Sequence, residues 1–173
     1  MSNRVALISG ANKGIGKEVA RQLGKAGMTV LVGSRDKNNG QKAVDELRAE
    51  GIIAETIELD VSDSKSIEKA AKSIAEKHDK IDVLVNNAGV FLDRKVGLEA
   101  EVELIEKTFE TNFLGAVKLT KALSPLLKKS DRARIVNVSS SLGSLHINGD
   151  PKSPMAGSGF IGYNCSKAAL NMF

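Results

Sequence analysis

The chain has 173 residues, 42% of them hydrophobic and 27% charged, which is enough for one globular domain with a substantial core. The formal net charge is +4, but no run of Lys and Arg exceeds two residues and basic residues alternate with acidic ones, which argues against a nucleic-acid-binding surface. The single cysteine, Cys165, excludes an intrachain disulfide, and the first apolar run is too short for a signal peptide or a membrane span, so we expect a cytoplasmic protein.

Short runs rich in Val, Ile and Leu alternate with helical patterns along the chain. The runs mostly lack strict polar alternation and predict strands buried on both faces, at residues 4–9, 29–34, 52–60, 81–86 and 134–139. The helices between them are predicted by apolar residues three or four positions apart, in the groups Ile15, Val19, Leu23; Val44, Leu47; and Ile67, Ala70, Ala71, Ile74. Repeated βα units without a linker predict a single α/β domain with one open parallel sheet.

The first predicted strand is followed by the sequence SGANKGIG. Its glycines Gly10, Gly14 and Gly16 stand at the start of a predicted helix. Glycines there allow a tight turn and a close approach of the backbone to a pyrophosphate, which then lies on the N–H groups of the helix N-terminus. The spacing differs from G-x-G-x-x-G, and a plain βα turn is an equally good interpretation of this motif by itself.

The end of the second strand indicates which dinucleotide would bind. Ser34 and Arg35 stand where an NAD-binding protein often has a carboxylate for the ribose hydroxyl. Together with Lys13 of the glycine loop, they favour the 2′-phosphate of NADP(H) over NAD(H). Asp36 argues mildly against this preference, unless it caps the next helix.

The third and fourth strands also end in residues with a possible nucleotide role. The carboxylate of Asp60 could accept a proton from the adenine amino group and the Val61 N–H could donate to the ring, although a helix cap explains Asp60 almost as well. After the fourth strand come Asn87, Ala88 and Gly89, which let the backbone pass close to a nucleotide. An asparagine there could also tie neighbouring strands together.

Asn112 lies on the apolar face of a long predicted helix. That face is formed by residues at helical spacing, namely Ile105, Phe109, Phe113, Ala116, Thr120, Leu123 and Leu127. A buried amide needs hydrogen-bond partners, so Asn112 is expected to bind backbone or water. It is either a satisfied core asparagine or a residue that holds a water molecule for proton transfer.

Tyr163 and Lys167 stand four residues apart near the end of the chain, so they share one face of a helix. A nearby ammonium and a helix N-terminus both stabilise a phenolate, which makes a tyrosine there a usable proton donor or acceptor. By itself, a Y-x-x-x-K match usually means a surface helix.

The motifs taken together resemble the short-chain dehydrogenase/reductase family, and most of all its NADPH-dependent carbonyl reductases. SGANKGIG, LDV, NNAG, Asn112, VNVSS and YNCSK occur in the family's order over essentially the whole chain. The resemblance implies a Rossmann-type doubly wound parallel sheet in a single domain over residues 1–173. The family's further C-terminal strands do not follow the Tyr–Lys helix, so we expect the chain to be the front part of a longer protein.

The resemblance also implies a role for each site residue. Tyr163 would protonate the substrate carbonyl, Ser140 would orient it, Lys167 would hold the nicotinamide ribose, and Asn112 would hold a water. Ser139 and Ser141 are alternatives for the role of orienting the carbonyl, but the S-S-x-x-G register favours Ser140. The cofactor, NADPH rather than NADH, would be lined by Tyr163 and Lys167 and by Gly10, Asn12, Lys13, Gly14, Ile15, Gly16, Ser34, Arg35, Asp60, Val61, Asn87, Ala88 and Gly89.

The expected function is hydride transfer between NADPH and a small carbonyl or alcohol substrate, with no metal ion. The alternatives are a dinucleotide-binding module without turnover and an epimerase or dehydratase on the same scaffold. The stretch between Ser140 and Tyr163 is longer than in simple family members, and its Gly- and Pro-rich part predicts a loop over the substrate pocket. A homo-oligomer is possible for the full-length chain.

Overall fold

The computed structural model describes residues 4–173. All five predicted strands are present and form one parallel sheet, which confirms the α/β class. Their bounds are β1 Val5–Ile8, β2 Thr29–Ser34, β3 Ala54–Glu58, β4 Val83–Asn86 and β5 Arg134–Asn137.

The order of the strands is β3-β2-β1-β4-β5, the order of a Rossmann-type doubly wound sheet. β1 pairs in parallel with both β2 and β4, with Leu7 opposite Leu31 on one side and Leu84 on the other. The chain reverses its direction of winding between β1 and β4, and ligands of open α/β sheets bind beside that point. The residues after β1 and β4 are therefore the first place to look for a site.

The helices lie where the periodicity predicts them, with α1 at Gly14–Lys25, α2 at Lys37–Ala49 and α3 at Ser64–Lys77. Asp36 and Asp63 are the N-caps of α2 and α3, because each carboxylate accepts a main-chain N–H of the first turn. One apolar cluster joins strand residues Leu7, Leu31 and Leu84 to Ile74 of α3 and to Leu123, which lies later in the chain. Burying both faces explains why the strands are continuously apolar.

One prediction of burial is wrong. Ile15 was expected on the apolar side of α1, but it lies in the first turn and is 66% exposed, while Gly16 and Ala20 are the buried residues of that helix. β5 differs from the other strands in its exposure, since Ile135 and Val136 are 49% and 47% exposed. β5 is the last strand in the sheet order, so its apolar side chains lie at an edge.

The long helix is interrupted at the position of Asn112. It consists of α4 at Val102–Phe109, a π turn at Glu110–Leu114 and α5 at Gly115–Leu127. A π turn adds one residue to the turn. Thr108 and Asn112 are buried up to and within it, and Leu119 and Leu123 are buried after it. The predicted stripe is confirmed in its second half, where Ala116, Leu123 and Leu127 are buried, whereas its other members, Ile105, Phe109, Phe113 and Thr120, are half-buried. Such turns are frequent at functional sites.

The end of the chain forms two further helices, α6 at Leu145–Gly149 and α7 at Ile161–Met172. The first lies inside the stretch predicted as a loop, and its start is capped by the Ser144 hydroxyl, which accepts the Ile147 N–H at 3.2 Å. A single helical turn with no buried residues cannot be predicted from hydrophobic periodicity, because it has no apolar face that repeats along the sequence.

The described residues form two compact units. The first contains the chain up to Ala88 together with Lys118–Val136, and the second contains Gly89–Val117 and Asn137–Phe173. The single domain over 1–173 stays a prediction, and its residues 1–3 lie outside the described part. Among residues 4–173, no helix has the length and apolar character needed to cross a bilayer, and no group of three or more His, Cys, Asp or Glu could hold a metal ion. The cytoplasmic location and the homo-oligomer also stay predictions.

Candidate active site

The glycine loop after β1 belongs to the first unit. Gly10 has a φ of +64°, and a Cβ atom there would lie 2.9 Å from the Ala88 Cα, so the loop can approach β4 only with glycine at this position. Gly14 also has a positive φ and has open space around it, and Gly16 is buried in α1. Lys13 precedes the helix without a side-chain cap, and Lys13 and Ile15 are both exposed. The N-terminus of α1 is therefore exposed.

A hydrogen-bonded cluster joins the ends of β1 and β4. The Asn87 side-chain amide donates to the Ser9 carbonyl at 2.8 Å and to the Gly10 carbonyl at 3.1 Å. The Ser9 hydroxyl accepts the N–H groups of Asn87 and Ala88, both at 3.0 Å. The prediction that an asparagine ties these strands together is confirmed, and the same bonds fix the shape of the glycine loop.

The end of β2 presents a cation to solvent. Arg35 is exposed, whereas Ser34 is buried and its hydroxyl donates to the Asp36 carbonyl at 2.8 Å. The Asp36 carboxylate accepts the Asn39 N–H at 2.7 Å as a helix cap, which confirms the expected capping role. An uncapped helix N-terminus, an open glycine loop and two exposed cations suit a ligand with phosphate groups.

Asp60 and Val61 follow β3. The Asp60 Oδ1 accepts the Ser62 N–H at 2.9 Å and the Ser62 hydroxyl at 2.6 Å, which forms a local turn before α3. Since Asp63 caps α3, the alternative of a helix cap does not apply to Asp60. Val61 is buried in the core cluster of the first unit.

Tyr163 and Lys167 lie on α7 in the second unit. Tyr163 is the third residue of that helix, as the prediction of a first helical turn requires, and the Lys167 Nζ lies 5.8 Å from the centroid of its ring. Lys167 is only 4% exposed, and its Nζ donates to the Val138 carbonyl at 2.7 Å. Burial lowers the pKa of the Lys167 ammonium below its ordinary value, because desolvation disfavours the charged form.

The three consecutive serines after β5 have different environments. The Ser139 hydroxyl donates to the Lys167 carbonyl at 3.3 Å, and Ser141 is exposed at the start of a 3₁₀ turn. The Ser140 oxygen accepts the Leu142 N–H at 3.2 Å, which leaves its proton available to donate. Gly143 ends this turn, and a Cβ atom there would lie 2.7 Å from the Lys167 carbonyl carbon, so glycine lets the turn pack directly on α7.

Asn112 sits in the π turn and is almost fully buried. Its Oδ1 accepts the Val90 N–H at 2.7 Å, and its Nδ2 donates to the Val90 carbonyl at 2.9 Å and to the Ser166 hydroxyl at 3.0 Å. The expectation that this amide is hydrogen-bonded is confirmed. Asn112 thereby links the segment that begins with the exposed Gly89 to the helix that carries Tyr163.

The comparison with known proteins identifies the family. A family model described as short chain dehydrogenase matches residues 4–173. The chain belongs to this family. Short-chain dehydrogenase/reductase 1 of Saponaria officinalis is 41% identical over 164 residues, which are 82% of this chain and 54% of that protein. Carbonyl reductase (NADPH) 1 of Mus musculus is 40% identical over 144 residues, and the match covers 80% of this chain and 50% of that protein.

A solved structure agrees with the family in fold. A metagenomic short-chain oxidoreductase in complex with NADP has a TM-score of 0.83 and 31% identity, covering 98% of this chain and 72% of the other. The chain spans about half the length of the curated relatives that it matches.

Several residues that shape the candidate site were not predicted from the sequence. Ser9 stands at the end of a strand, where a buried hydroxyl is easily mistaken for a turn residue. Asp93 and Ser166 act only through residues distant along the chain, since Asp93 accepts the Gly162 N–H at 2.8 Å and Ser166 accepts from Asn112. Nothing in their local sequence predicts these contacts. The roles of the predicted site residues stay predictions.

Proposed function

We propose that this short-chain dehydrogenase is an NADPH-dependent oxidoreductase that reduces the carbonyl group of a small ketone or aldehyde, or oxidises the alcohol in reverse. The observation that carries the proposal is the pair on α7, a tyrosine in the first helical turn with a buried ammonium 5.8 Å from its ring. The similarity to a carbonyl reductase whose name includes NADPH supports the choice of substrate class and cofactor.

NADPH, when bound, supplies the hydride for such a reduction. Gly10, Asn12, Gly14, Ile15 and Gly16 of the first unit would hold the pyrophosphate, since glycine loops at a helix N-terminus present N–H groups to it. Lys13 and Arg35 would bind the 2′-phosphate, and Ser34 would fix the backbone beside Arg35 through its bond to Asp36. Asp60, Val61, Asn87, Ala88 and Gly89 would contact the remaining nucleoside parts.

Tyr163 would act as the general acid in the second unit. Its hydroxyl would give a proton to the carbonyl oxygen as negative charge develops there, and Ser140 would donate a hydrogen bond to the same oxygen. Lys167 would stabilise the phenolate that remains, because a cation beside it favours the ionised form.

Asn112 would support proton transfer from the π turn. Both hydrogens of its amide are already used by Val90 and Ser166, so any water would bind the second lone pair of Oδ1 or the main chain. Its bond to Ser166 would also keep α7 in place.

The experiment that tests the proposal is Tyr163→Phe, which removes one oxygen atom. We expect turnover of NADPH with cyclohexanone, benzaldehyde or menadione to fall by at least about a hundredfold, since a general acid contributes that much. NADPH binding, followed by fluorescence titration, should be largely retained. Turnover near that of the wild type in this variant would overturn the mechanism.

A matched control on the same helix is Cys165→Ser. Cys165 is exposed, has no role in the proposed chemistry and changes by a single atom, so its turnover should equal that of the wild type. If the wild-type protein bound NADPH tightly but oxidised none of it with any of these carbonyl compounds, a dinucleotide-binding module without turnover would be the better interpretation.

A further inference from the structure

The start of α7 lacks a cap from its own sequence. Phe160 precedes the helix and has no side chain that can accept a hydrogen bond, so the first N–H groups of α7 need partners from elsewhere. These N–H groups belong to the turn that carries Tyr163. Whatever binds them also fixes the position of the tyrosine main chain.

Asp93 supplies the missing partner from about 70 residues earlier in the chain. Its Oδ2 accepts the Gly162 N–H at 2.8 Å and the Tyr163 N–H at 3.3 Å. A carboxylate at a helix N-terminus is stabilised by the positive end of the helix dipole. The main chain of Tyr163 is thus bound directly by a side chain of a distant segment.

Packing fits this contact closely. A Cβ atom at Gly162 would lie 2.7 Å from the Asp93 Oδ1 and 3.1 Å from the Ile105 Cα, so the glycine makes room for the carboxylate. Asp93 is 8% exposed, and its Oδ1 has no hydrogen-bond partner among residues 4–173. Because Asp93 is buried, its hydrogen bonds to α7 are not a solvated surface contact. Burial of a carboxylate with one unpaired oxygen costs free energy.

The same segment also holds the tyrosine ring. Phe91 packs edge-on against Tyr163, with ring centroids 4.8 Å apart and an interplanar angle of 77°. It packs in the same way against Phe160, at 4.9 Å and 68°. Two residues of one short segment therefore restrain the main chain and the ring of Tyr163 respectively.

We propose that Asp93 is a positioning residue for Tyr163, with Phe91 restraining the ring of the same tyrosine. This inference rests on the proposed function, because it assigns Tyr163 the acid role. Asp93 acts through the helix and not on the substrate. Its loss should lower kcat while leaving the binding of NADPH unchanged.

The test compares Asp93→Ala with Asp93→Asn in the 173-residue chain, using NADPH and menadione. Because the chain has one tyrosine and no tryptophan, the tyrosine band in near-ultraviolet circular dichroism reports on Tyr163 alone. We expect Asp93→Ala to change this band and to lower kcat by about ten- to a hundredfold, as a displaced catalytic group does. Asp93→Asn should restore both values, since its amide oxygen can accept the same two N–H groups.

Asp63→Ala is the matched control, because Asp63 is also an aspartate that caps a helix. It should leave kcat and the tyrosine band unchanged. If Asp93→Ala does not fold, Phe91→Leu takes its place, and it should change the band and lower kcat. A wild-type band and a wild-type kcat in the folded Asp93→Ala variant, or in Phe91→Leu where that variant is used, would overturn the inference.

The outcomes separate this inference from the proposed function. If Tyr163→Phe keeps wild-type turnover, the proposed function fails, whatever Asp93→Ala does to the tyrosine band. If Tyr163→Phe is inactive while Asp93→Ala behaves as the wild type, only the positioning role fails.

Discussion

The Lys167 ammonium lies 5.8 Å from the centroid of the Tyr163 ring and donates to the Val138 carbonyl at 2.7 Å. A buried ammonium with one neutral acceptor loses much of its hydration, which lowers the pKa of Lys167. The buried ammonium of Lys167, which should assist Tyr163, therefore lowers the free energy of unfolding. Such a loss is common for functional residues held in unfavourable environments.

The first prediction concerns this cost and its pH dependence. The folded pKa of Lys167 lies below the value of about 10.4 that an unfolded chain gives a lysine. Between these two pKa values the unfolded state binds more protons than the folded state, so the contribution of Lys167 to the free energy of unfolding rises with pH. Below the folded pKa both states are protonated and the penalty is fully present.

The measurement is urea unfolding of the wild type and of Lys167→Met at neutral pH and near pH 10. The variant loses the hydrogen bond to the Val138 carbonyl at every pH, and this loss adds a constant difference between the free energies of unfolding of the two proteins. The wild type should gain stability relative to the variant as pH rises. A difference that is flat or that falls with pH would contradict the predicted direction of the pKa shift.

The second prediction concerns cofactor choice. Arg35→Ala should weaken NADPH binding by about ten- to a hundredfold, the range for a hydrogen bond to a charged group, and should change NADH binding little. The measurement is fluorescence titration with both nucleotides. Arg132→Ala, which removes another exposed arginine of the first unit, should affect neither. Equal losses for the two nucleotides in Arg35→Ala would refute the phosphate contact.

The third prediction separates the neighbouring serines. Ser140→Ala should lower kcat by about a hundred- to a thousandfold, because it removes a donor to the developing oxyanion. Ser141→Ala should leave kcat unchanged, since the S-S-x-x-G register assigns the role to Ser140. Steady-state kinetics test both, with circular dichroism to show that each variant is folded. The larger loss in Ser141→Ala would move the role to that serine.

The sequence alone determined the order of the elements and the fold class. Continuous apolar runs identified the five strands, and glycines and capping aspartates marked the helices between them, because these signals depend only on local backbone preferences and on burial. The motif residues Tyr163, Lys167 and Asn112 also stood out, since their spacing along a helix fixes which face they share.

Only the tertiary structure decided which distant groups hold those residues in place. Three hydrogen bonds join segments that are distant along the chain, and no local pattern encodes them. They connect Tyr163 to Asp93, Asn112 to Ser166 and Asn87 to Ser9. The π turn and the exposure of Ile15 were likewise not predicted, because burial depends on which element covers a side chain and not on its apolar character. Hydrogen bonds and packing across the fold have no period along the chain, so they appear only when the chain is folded.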